Sequence, residues 1–249
     1  MKKPTRVEKK RRRKRMMFRL ILMLSLVSFG TAFMVKSDFF NIKKVNVDGN
    51  NILTDDIIIK ASTINIGENI YKIKKSDVLN NIESLSYVKS ANIKRKLPDT
   101  ININIEERKR VVQLKMLSNY MLIDNEGYVL EVSDTRVDEL PCFVGFNIEN
   151  LEPGNKISND EIGMKLLDFF NEDELIPTIS AMNTINYDTN EEINIDLNNS
   201  ISVAFGPLYN VKYKLRLLDK ILNDIEKKQL KCNMIIMNKG ENPILVLDD

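Results

Sequence analysis

The chain of 249 residues contains no histidine and only two cysteines. The absence of histidine excludes Ser-His-Asp and Cys-His nucleophile systems, HExxH zinc sites and any histidine pH switch. Cys142 and Cys232 lie 90 positions apart without a CxxC pair, which excludes a redox motif and a cysteine-rich metal knuckle. We therefore expect neither a metal nor another cofactor, and most of the usual catalytic side chains are missing.

A hydrolase working on glycosides would need paired acids across a cleft, so the positions of three acidic pairs are informative. Asp55–Asp56 lie at a predicted helix start, Glu106–Glu107 at a predicted strand end and Glu191–Glu192 in a predicted turn. None of these positions favours a catalytic cleft. The sequence therefore predicts a protein without enzymatic activity.

The net charge of +2 conceals a sharp division along the chain. Residues 1–15 carry ten basic side chains and one acid, residues 16–35 carry only Arg19, and residues 36–249 sum to −8. As a helix, residues 16–35 would span roughly 30 Å, the hydrocarbon thickness of a bilayer. We interpret them as a transmembrane helix behind a cytoplasmic tail of residues 1–15, following the positive-inside rule. The topology determinants are Arg11, Arg12, Arg13, Lys14, Arg15 and Arg19.

Two other interpretations of this region remain open. One is a cleaved signal peptide, for which Gly30-Thr31-Ala32 is a poor cleavage site, and the other is a buried core helix. A basic run can also bind nucleic acid or anionic lipid, but we favour the topology role and expect no nucleic-acid partner. Outside the cytoplasm disulfides are permitted, so a bond between Cys142 and Cys232 stays open beside two buried thiols.

Residues 36–108 show the pattern strand, helix, helix, strand, strand. The first strand ends at the turn signal Asp48-Gly49-Asn50, and Thr54 and Ser76 are predicted to cap the two helices. Residues 101–106 alternate apolar and polar side chains, which is typical of a strand with one buried face. The order predicts two helices packed on one face of a three-stranded sheet.

A small basic cluster, Lys94, Arg95 and Lys96, precedes the predicted hairpin turn at residues 97–100. Charged side chains at a hairpin end are ordinarily solvated. The cluster is therefore either a solvated hairpin end or a contact for a partner or for lipid headgroups.

Residues 109–249 predict a second domain built on a mixed α/β sheet, so the whole chain is predicted to be α+β. Ser158 is expected to cap a helix that runs to about Leu175 and is limited by Pro177. A strongly amphipathic helix is expected from Val211 to Ile225, with Lys214 on its outer face. Strands are expected at residues 111–117, 120–123, 128–132, 140–146, 193–197, 201–205, 234–237 and 243–247.

The last predicted strand consists of Ile244, Leu245, Val246 and Leu247, between Pro243 and Asp248-Asp249. Because it comes at the end of the chain, we expect it at a sheet edge. Apolar edge strands are normally interrupted by charge or proline, and this one contains neither within it. It is either a plain terminal strand or an edge open to β-augmentation by a partner segment.

A resemblance to the FtsQ/DivIB family of bacterial cell-division proteins is carried by the basic tail, the spanning helix and residues 39–50 and 69–108. It implies a POTRA domain at residues 36–108 and the family's β domain at residues 109–249, where YMLIDNEGYVLE, LPCFVGF and ISVAFGPLYNVKYKLRLLDKIL continue the likeness. The residues that match the POTRA motif are Tyr87, Val88, Arg95, Pro98, Ile101, Ile105, Glu107 and Arg108.

The resemblance implies a non-enzymatic divisome scaffold. Such a scaffold binds the bitopic proteins FtsL and FtsB/DivIC outside the membrane, at residues 244–247, and links septum assembly to septal peptidoglycan synthesis and its synthases. It also implies a single-pass type II cell-membrane protein enriched at the division septum, with recruitment contacts on the POTRA domain. The alternative is a membrane-anchored POTRA module for envelope protein assembly or secretion.

Overall fold

The computed structural model describes residues 6–148, 151–159, 161–188, 190–239 and 242–247. Residues 1–5 of the predicted tail and Asp248-Asp249 lie outside the described residues. The chain divides into two compact units. The first unit comprises Met1–Glu83 and Ser90–Glu106, and the second comprises Ser84–Lys89 and Glu107–Asp249.

The first unit begins with a long helix, α1 (Arg6–Lys36). Among the described residues it is the one helix long and apolar enough to cross a membrane, over Lys10–Lys36. Its apolar side chains are exposed along its length, for example Phe29 at 75%. This exposure contradicts the alternative of a buried core helix, since such a helix would pack its apolar residues inside the protein.

The rest of the first unit follows the predicted order of elements. A short 3-10 turn (Asp38–Phe40) leads to β1 (Lys44–Asp48), α2 (Asp55–Ser62), α3 (Lys75–Glu83), β2 (Val88–Lys96) and β3 (Thr100–Glu107). The strands pair in the order β1-β3-β2, with β1 parallel to β3. Ile101, Ile103 and Ile105 of the central strand are buried while their neighbours are not, so one face of the sheet holds the core.

The two predicted helix caps differ in the structure. Thr54 is the N-cap residue of α2, but its side chain makes no capping hydrogen bond. Ser76 lies inside α3, because that helix begins at Lys75, and its hydroxyl donates to Asp77 Oδ1 at 3.1 Å. The prediction that Ser76 caps the second helix is therefore wrong.

The second unit is built on a single nine-stranded sheet. Its strand order is β12-β11-β10-β9-β8-β7-β4-β5-β6. The strands are β4 (Val112–Lys115), β5 (Tyr120–Ile123), β6 (Val129–Ser133), β7 (Cys142–Val144), β8 (Met182–Tyr187), β9 (Glu192–Leu197), β10 (Ser202–Pro207), β11 (Cys232–Ile236) and β12 (Ile244–Leu247). The sequence pattern missed β8, because a register shift between Met182 and Thr184 leaves its buried residues, Met182 and Ile185, three positions apart.

One apolar row crosses all nine strands of this sheet. The register aligns one residue from each strand on the same face: Leu245, Ile235, Val203, Ile195, Ile185, Phe143, Leu114, Met121 and Val132. The residues in the middle of the row are fully buried, whereas Leu245 at one end is 37% exposed and Val132 at the other is 41% exposed. The core therefore lies beneath the central strands, and burial decreases toward both edges of the sheet.

Three helices contribute side chains to the core of the second unit: α4 (Glu161–Leu167), α5 (Ile176–Ser180) and α6 (Val211–Lys228). The α6 helix confirms the predicted amphipathic helix, but the single helix predicted from Ser158 to Leu175 is wrong. A 3-10 turn (Ile157–Asn159) precedes α4 and another (Asp173–Leu175) precedes α5.

Two details explain the broken helix. Pro177 lies in the first turn of α5, where its missing N–H costs nothing, rather than limiting a helix before it. Phe169 and Phe170 are both fully buried, and their rings lie 5.5 and 5.9 Å from that of Phe143. Adjacent residues of a continuous helix point about 100° apart, so the break in the helix allows both rings to reach the same core.

The structure also settles the question of the two cysteines. Cys142 is on β7 and Cys232 on β11, which are separated by four strand spacings, or about 19 Å. Cysteines this far apart cannot form a disulfide bond. Both thiols are free, and burial raises the pKa of the Cys142 thiol.

Candidate functional site

The nine-stranded sheet has two edges, and one of them, β6, is partly covered by other segments of the second unit. The N–H of Val129 donates to the carbonyl of Asn155 at 2.9 Å, and the N–H of Gly154 donates to the carbonyl of Val129 at 2.8 Å. The Ser86 hydroxyl donates to the carbonyl of Leu130 at 2.6 Å. Because these bonds use backbone groups of Val129 and Leu130, the first part of this edge is closed to a further strand, and we call β6 the closed edge.

A polar cluster, in which Tyr87 is buried and Arg110 and Glu131 are half-buried, reinforces the closed edge. The Tyr87 hydroxyl donates to Glu131 on β6, and Arg110 Nε donates to the Tyr87 oxygen at 2.7 Å. Arg110 Nη2 also contacts Glu131 Oε2 at 3.1 Å. Burial and the hydrogen bond to Glu131 raise the pKa of Tyr87 to about 12. The phenol therefore keeps its proton and holds β6 against the segment Ser84–Lys89.

A second group of charges lies beside the first, around Arg108. Arg108 Nη1 contacts Asp124 Oδ2 at 2.6 Å and Glu126 Oε2 at 2.9 Å, and its guanidinium lies 3.7 Å from the centre of the Tyr128 ring. Hydrogen bonds from Lys89 and Arg108 lower the pKa of Glu126. Arg108 and Tyr87 both belong to the motif quoted above, and in the second unit they are structural residues of the closed edge.

The opposite edge, β12, is uncovered. Among the described residues, only β11 forms hydrogen bonds with it. Its four side chains are exposed on both faces of the sheet: Ile244 at 50%, Leu245 at 37%, Val246 at 38% and Leu247 at 51%. A row of unpaired backbone groups between apolar side chains is a template for another strand. The β12 strand therefore forms an open apolar edge.

Three further residues with exposed side chains were not singled out from the sequence, and one of them, Met234, adjoins β12. Met234 on β11 is aligned with Val246 and is 36% exposed. Tyr209 and Tyr213, near the start of α6, are 61% and 67% exposed. Exposed tyrosines are favoured at protein interfaces, but a single sequence does not distinguish them from core aromatics.

Lys214 corrects a prediction about α6. It was assigned to the outer face, but it is buried, and its Nζ donates to the carbonyl of Pro207 at 2.8 Å and lies 4.4 Å from the centre of the Tyr209 ring. Burial lowers the pKa of Lys214. The side chain therefore fixes the end of β10 to α6 instead of presenting its charge to solvent.

The other predicted site residues lie in the first unit. Lys94, Arg95 and Lys96 are exposed at the end of β2, an edge strand of the three-stranded sheet. Arg95 Nη2 donates to the carbonyl of Ile73 at 2.6 Å, so this cation is bound by its own chain. The six basic topology determinants are exposed on the N-terminal half of α1. In the described part of the chain, no group of three potential ligands could hold a metal ion.

Comparison with known proteins identifies both units. The family model "POTRA domain, FtsQ-type" matches residues 40–108, and "Cell division protein FtsQ/DivIB, C-terminal" matches residues 110–236, which is half of the chain. The chain belongs to the FtsQ/DivIB family of cell-division proteins. The resemblance and the α+β fold predicted from the sequence are therefore confirmed, with a POTRA domain in the first unit.

Curated relatives are similar over nearly the whole chain. The DivIB protein of Clostridium botulinum (strain Loch Maree / Type A3) is 27% identical over 244 residues, which cover 96% of this chain and 94% of that protein. The DivIB protein of Clostridium tetani (strain Massachusetts / E88) is 31% identical over 223 residues, or 87% and 77% of the two chains. The β12 strand follows the segment that the C-terminal family model matches, so its description as an open edge rests on the structure.

The closed edge makes a prediction about pH. The full-length chain has seven tyrosines, and we expect Tyr87→Phe to remove one phenolate absorbance step near pH 12. Because the folded pKa lies above the ordinary value of 10.0, the stabilisation from this group is complete below pH 10 and is lost as the pH rises toward 12. Loss of a step near pH 10 instead would contradict the burial of the phenol and its hydrogen bond to Glu131.

Proposed function

We propose that this chain is a non-enzymatic scaffold of the division machinery that holds FtsL and FtsB/DivIC outside the membrane at the open edge β12. Membership of a family of cell-division proteins supports the divisome role. The observation that carries the partner site is the difference between the two edges of one sheet. The first two residues of β6 are bonded by their own chain, whereas β12 is open and apolar.

The geometry of β12 defines the kind of partner segment that fits it. An added strand would form main-chain hydrogen bonds with the outward groups of β12, which supply affinity without requiring a particular sequence. Leu245 continues the buried apolar row on one face, whereas Val246 is aligned with Met234 on the other. We therefore expect an extended partner segment with apolar side chains on both faces.

Two matched variants test the partner site. Leu245→Lys and Val132→Lys place the same charge at the two ends of the same apolar row, at side chains that are 37% and 41% exposed. A lysine on a strand edge disfavours pairing, so we expect Leu245→Lys to weaken binding of the FtsL–DivIC pair by at least about tenfold. Val132→Lys should bind as the unchanged chain does, in a pull-down or by biolayer interferometry.

Proline variants test the backbone contribution separately. Successive residues of β12 direct their N–H groups alternately toward β11 and away from it. Because proline has no N–H, one of the two variants Leu245→Pro and Val246→Pro removes an outward donor, and the other removes a donor that bonds β11. The outward variant should weaken binding and keep the melting temperature, whereas the inward variant should lower both. Full binding by every variant that keeps its melting temperature would overturn the proposal.

The same proposal includes topology and location. We infer that α1 spans the cell membrane once, that the basic tail is cytoplasmic, and that the chain concentrates at the division septum, where the partner pair connects it to septal peptidoglycan synthesis. The length, hydropathy and basic N-terminal end of α1 support this orientation.

Fluorescence of an N-terminal fusion in dividing cells tests the location. We expect a band at mid-cell, because a divisome scaffold functions only where the septum forms. A uniform membrane signal throughout the cell cycle would contradict the divisome role and favour the envelope-assembly alternative.

A further inference from the structure

The helix α1 is joined to the folded part of the first unit by a specific contact at its C-terminal end. Asn69, which is 5% exposed, donates its side-chain N–H groups to the carbonyls of Met34 and Ser37 at 3.0 and 3.4 Å. The Met34 carbonyl is one that the end of α1 leaves without a helical partner. The Ser37 carbonyl follows the helix and also accepts the N–H of Phe40 at 3.3 Å. The Phe40 ring lies 6.5 Å from Phe33 on the helix and 5.2 Å from Tyr71.

This joint fixes the height of the loop that contains Asn69. The apolar segment of α1 ends at Val35, so the Met34 carbonyl lies where the hydrocarbon of the membrane ends, provided that α1 is the proposed anchor. A side chain bonded to that carbonyl must lie at the same level. The loop of residues 63–74 is therefore at the membrane surface.

Two more segments are at this end of the first unit. The N–H of Ile42 donates to Glu68 and the N–H of Gly67 donates to Ile42, both at 2.8 Å, which ties residues 36–44 to the loop. The N–H of Lys43 donates to the carbonyl of Asp99, also at 2.8 Å, which brings in the turn after β2. We call residues 36–44, 63–75 and 94–99 together the membrane-proximal surface.

The composition of the membrane-proximal surface matches an anionic bilayer. Three apolar side chains on it are largely exposed: Phe39 at 60%, Ile66 at 64% and Leu97 at 53%. Its three segments contain nine Lys or Arg residues and three acidic residues, Asp38, Glu68 and Asp99, which gives a net charge of +6. Residues 36–249 as a whole have a net charge of −8, so positive charge is concentrated on this surface. Within the described residues, only one of these nine basic side chains forms an ion pair with one of these three acids: Lys43 pairs with Asp99 at 3.4 Å.

We propose that the membrane-proximal surface binds the lipid surface in which α1 is anchored, with Ile66 and Phe39 inserted among the headgroups and the lysines on anionic lipid phosphates. Apolar insertion combined with basic side chains is the usual physical basis of interfacial membrane binding. The proposal rests on the membrane anchor proposed above, and it assigns Lys94 and Lys96 to lipid rather than to a protein partner.

The absence of tryptophan from the chain allows a direct test with single reporters. The full-length variants Ile66→Trp, Ile52→Trp and Phe29→Trp are reconstituted in phosphatidylcholine vesicles with about 30% phosphatidylglycerol, with and without bromine on the acyl chains. Ile52 is the matched control, since it is 44% exposed but follows the opposite end of β1. Phe29 lies within α1 and reports insertion of the anchor.

We expect blue-shifted emission and bromine quenching at position 66, at least about threefold stronger than at position 52 and weaker than at position 29. Quenching at position 29 with none at position 66 would overturn the lipid proposal and leave the anchor intact. The absence of quenching at position 29 would overturn the anchor and, with it, the lipid proposal.

Equal signals at position 66 in vesicles without phosphatidylglycerol would overturn the role of the lysines. A blue shift caused by soluble polyphosphate in neutral vesicles would assign the surface to an anionic polymer instead.

Discussion

An open β-sheet must end in two strands whose outer backbone groups have no neighbour, and this constraint governs the second unit. Such groups are satisfied by the same chain, by water or by another protein. At β6 the chain itself supplies the partners, through Asn155, Gly154 and Ser86. At β12 no described residue does so, and its apolar side chains are exposed on both faces of the sheet.

The two edges also differ in charge. The closed edge has Glu131 within β6, held by Tyr87 and Arg110, so its polar groups are paired inside the second unit. The open edge has no charged residue between Ile244 and Leu247. A sheet with a polar network at one edge and an apolar strand at the other is asymmetric, which suits the partner binding proposed at β12.

The sequence predicts elements whose periodicity is regular and local. The hairpin of β9 and β10 and the helix α6 were predicted because alternation or helical spacing runs through them without interruption. The strand β8 was missed because a register shift disrupts its alternation, and α4 and α5 were merged because the break between them serves tertiary packing of Phe169 and Phe170. The apolar character of β12 was evident in the sequence, but the closure of β6 depends on residues distant in sequence and needed the structure.

Hydrogen exchange of the full-length chain, alone and with the FtsL–DivIC pair, tests the central claim most directly. The account predicts that alternate amides of β12 exchange rapidly in the free chain and at least about tenfold more slowly in the complex, since an added strand would bond them. Amides of β6 should be unchanged, because the proposed partner strand adds only at β12. A complex that forms while β12 exchanges as fast as before would contradict the account.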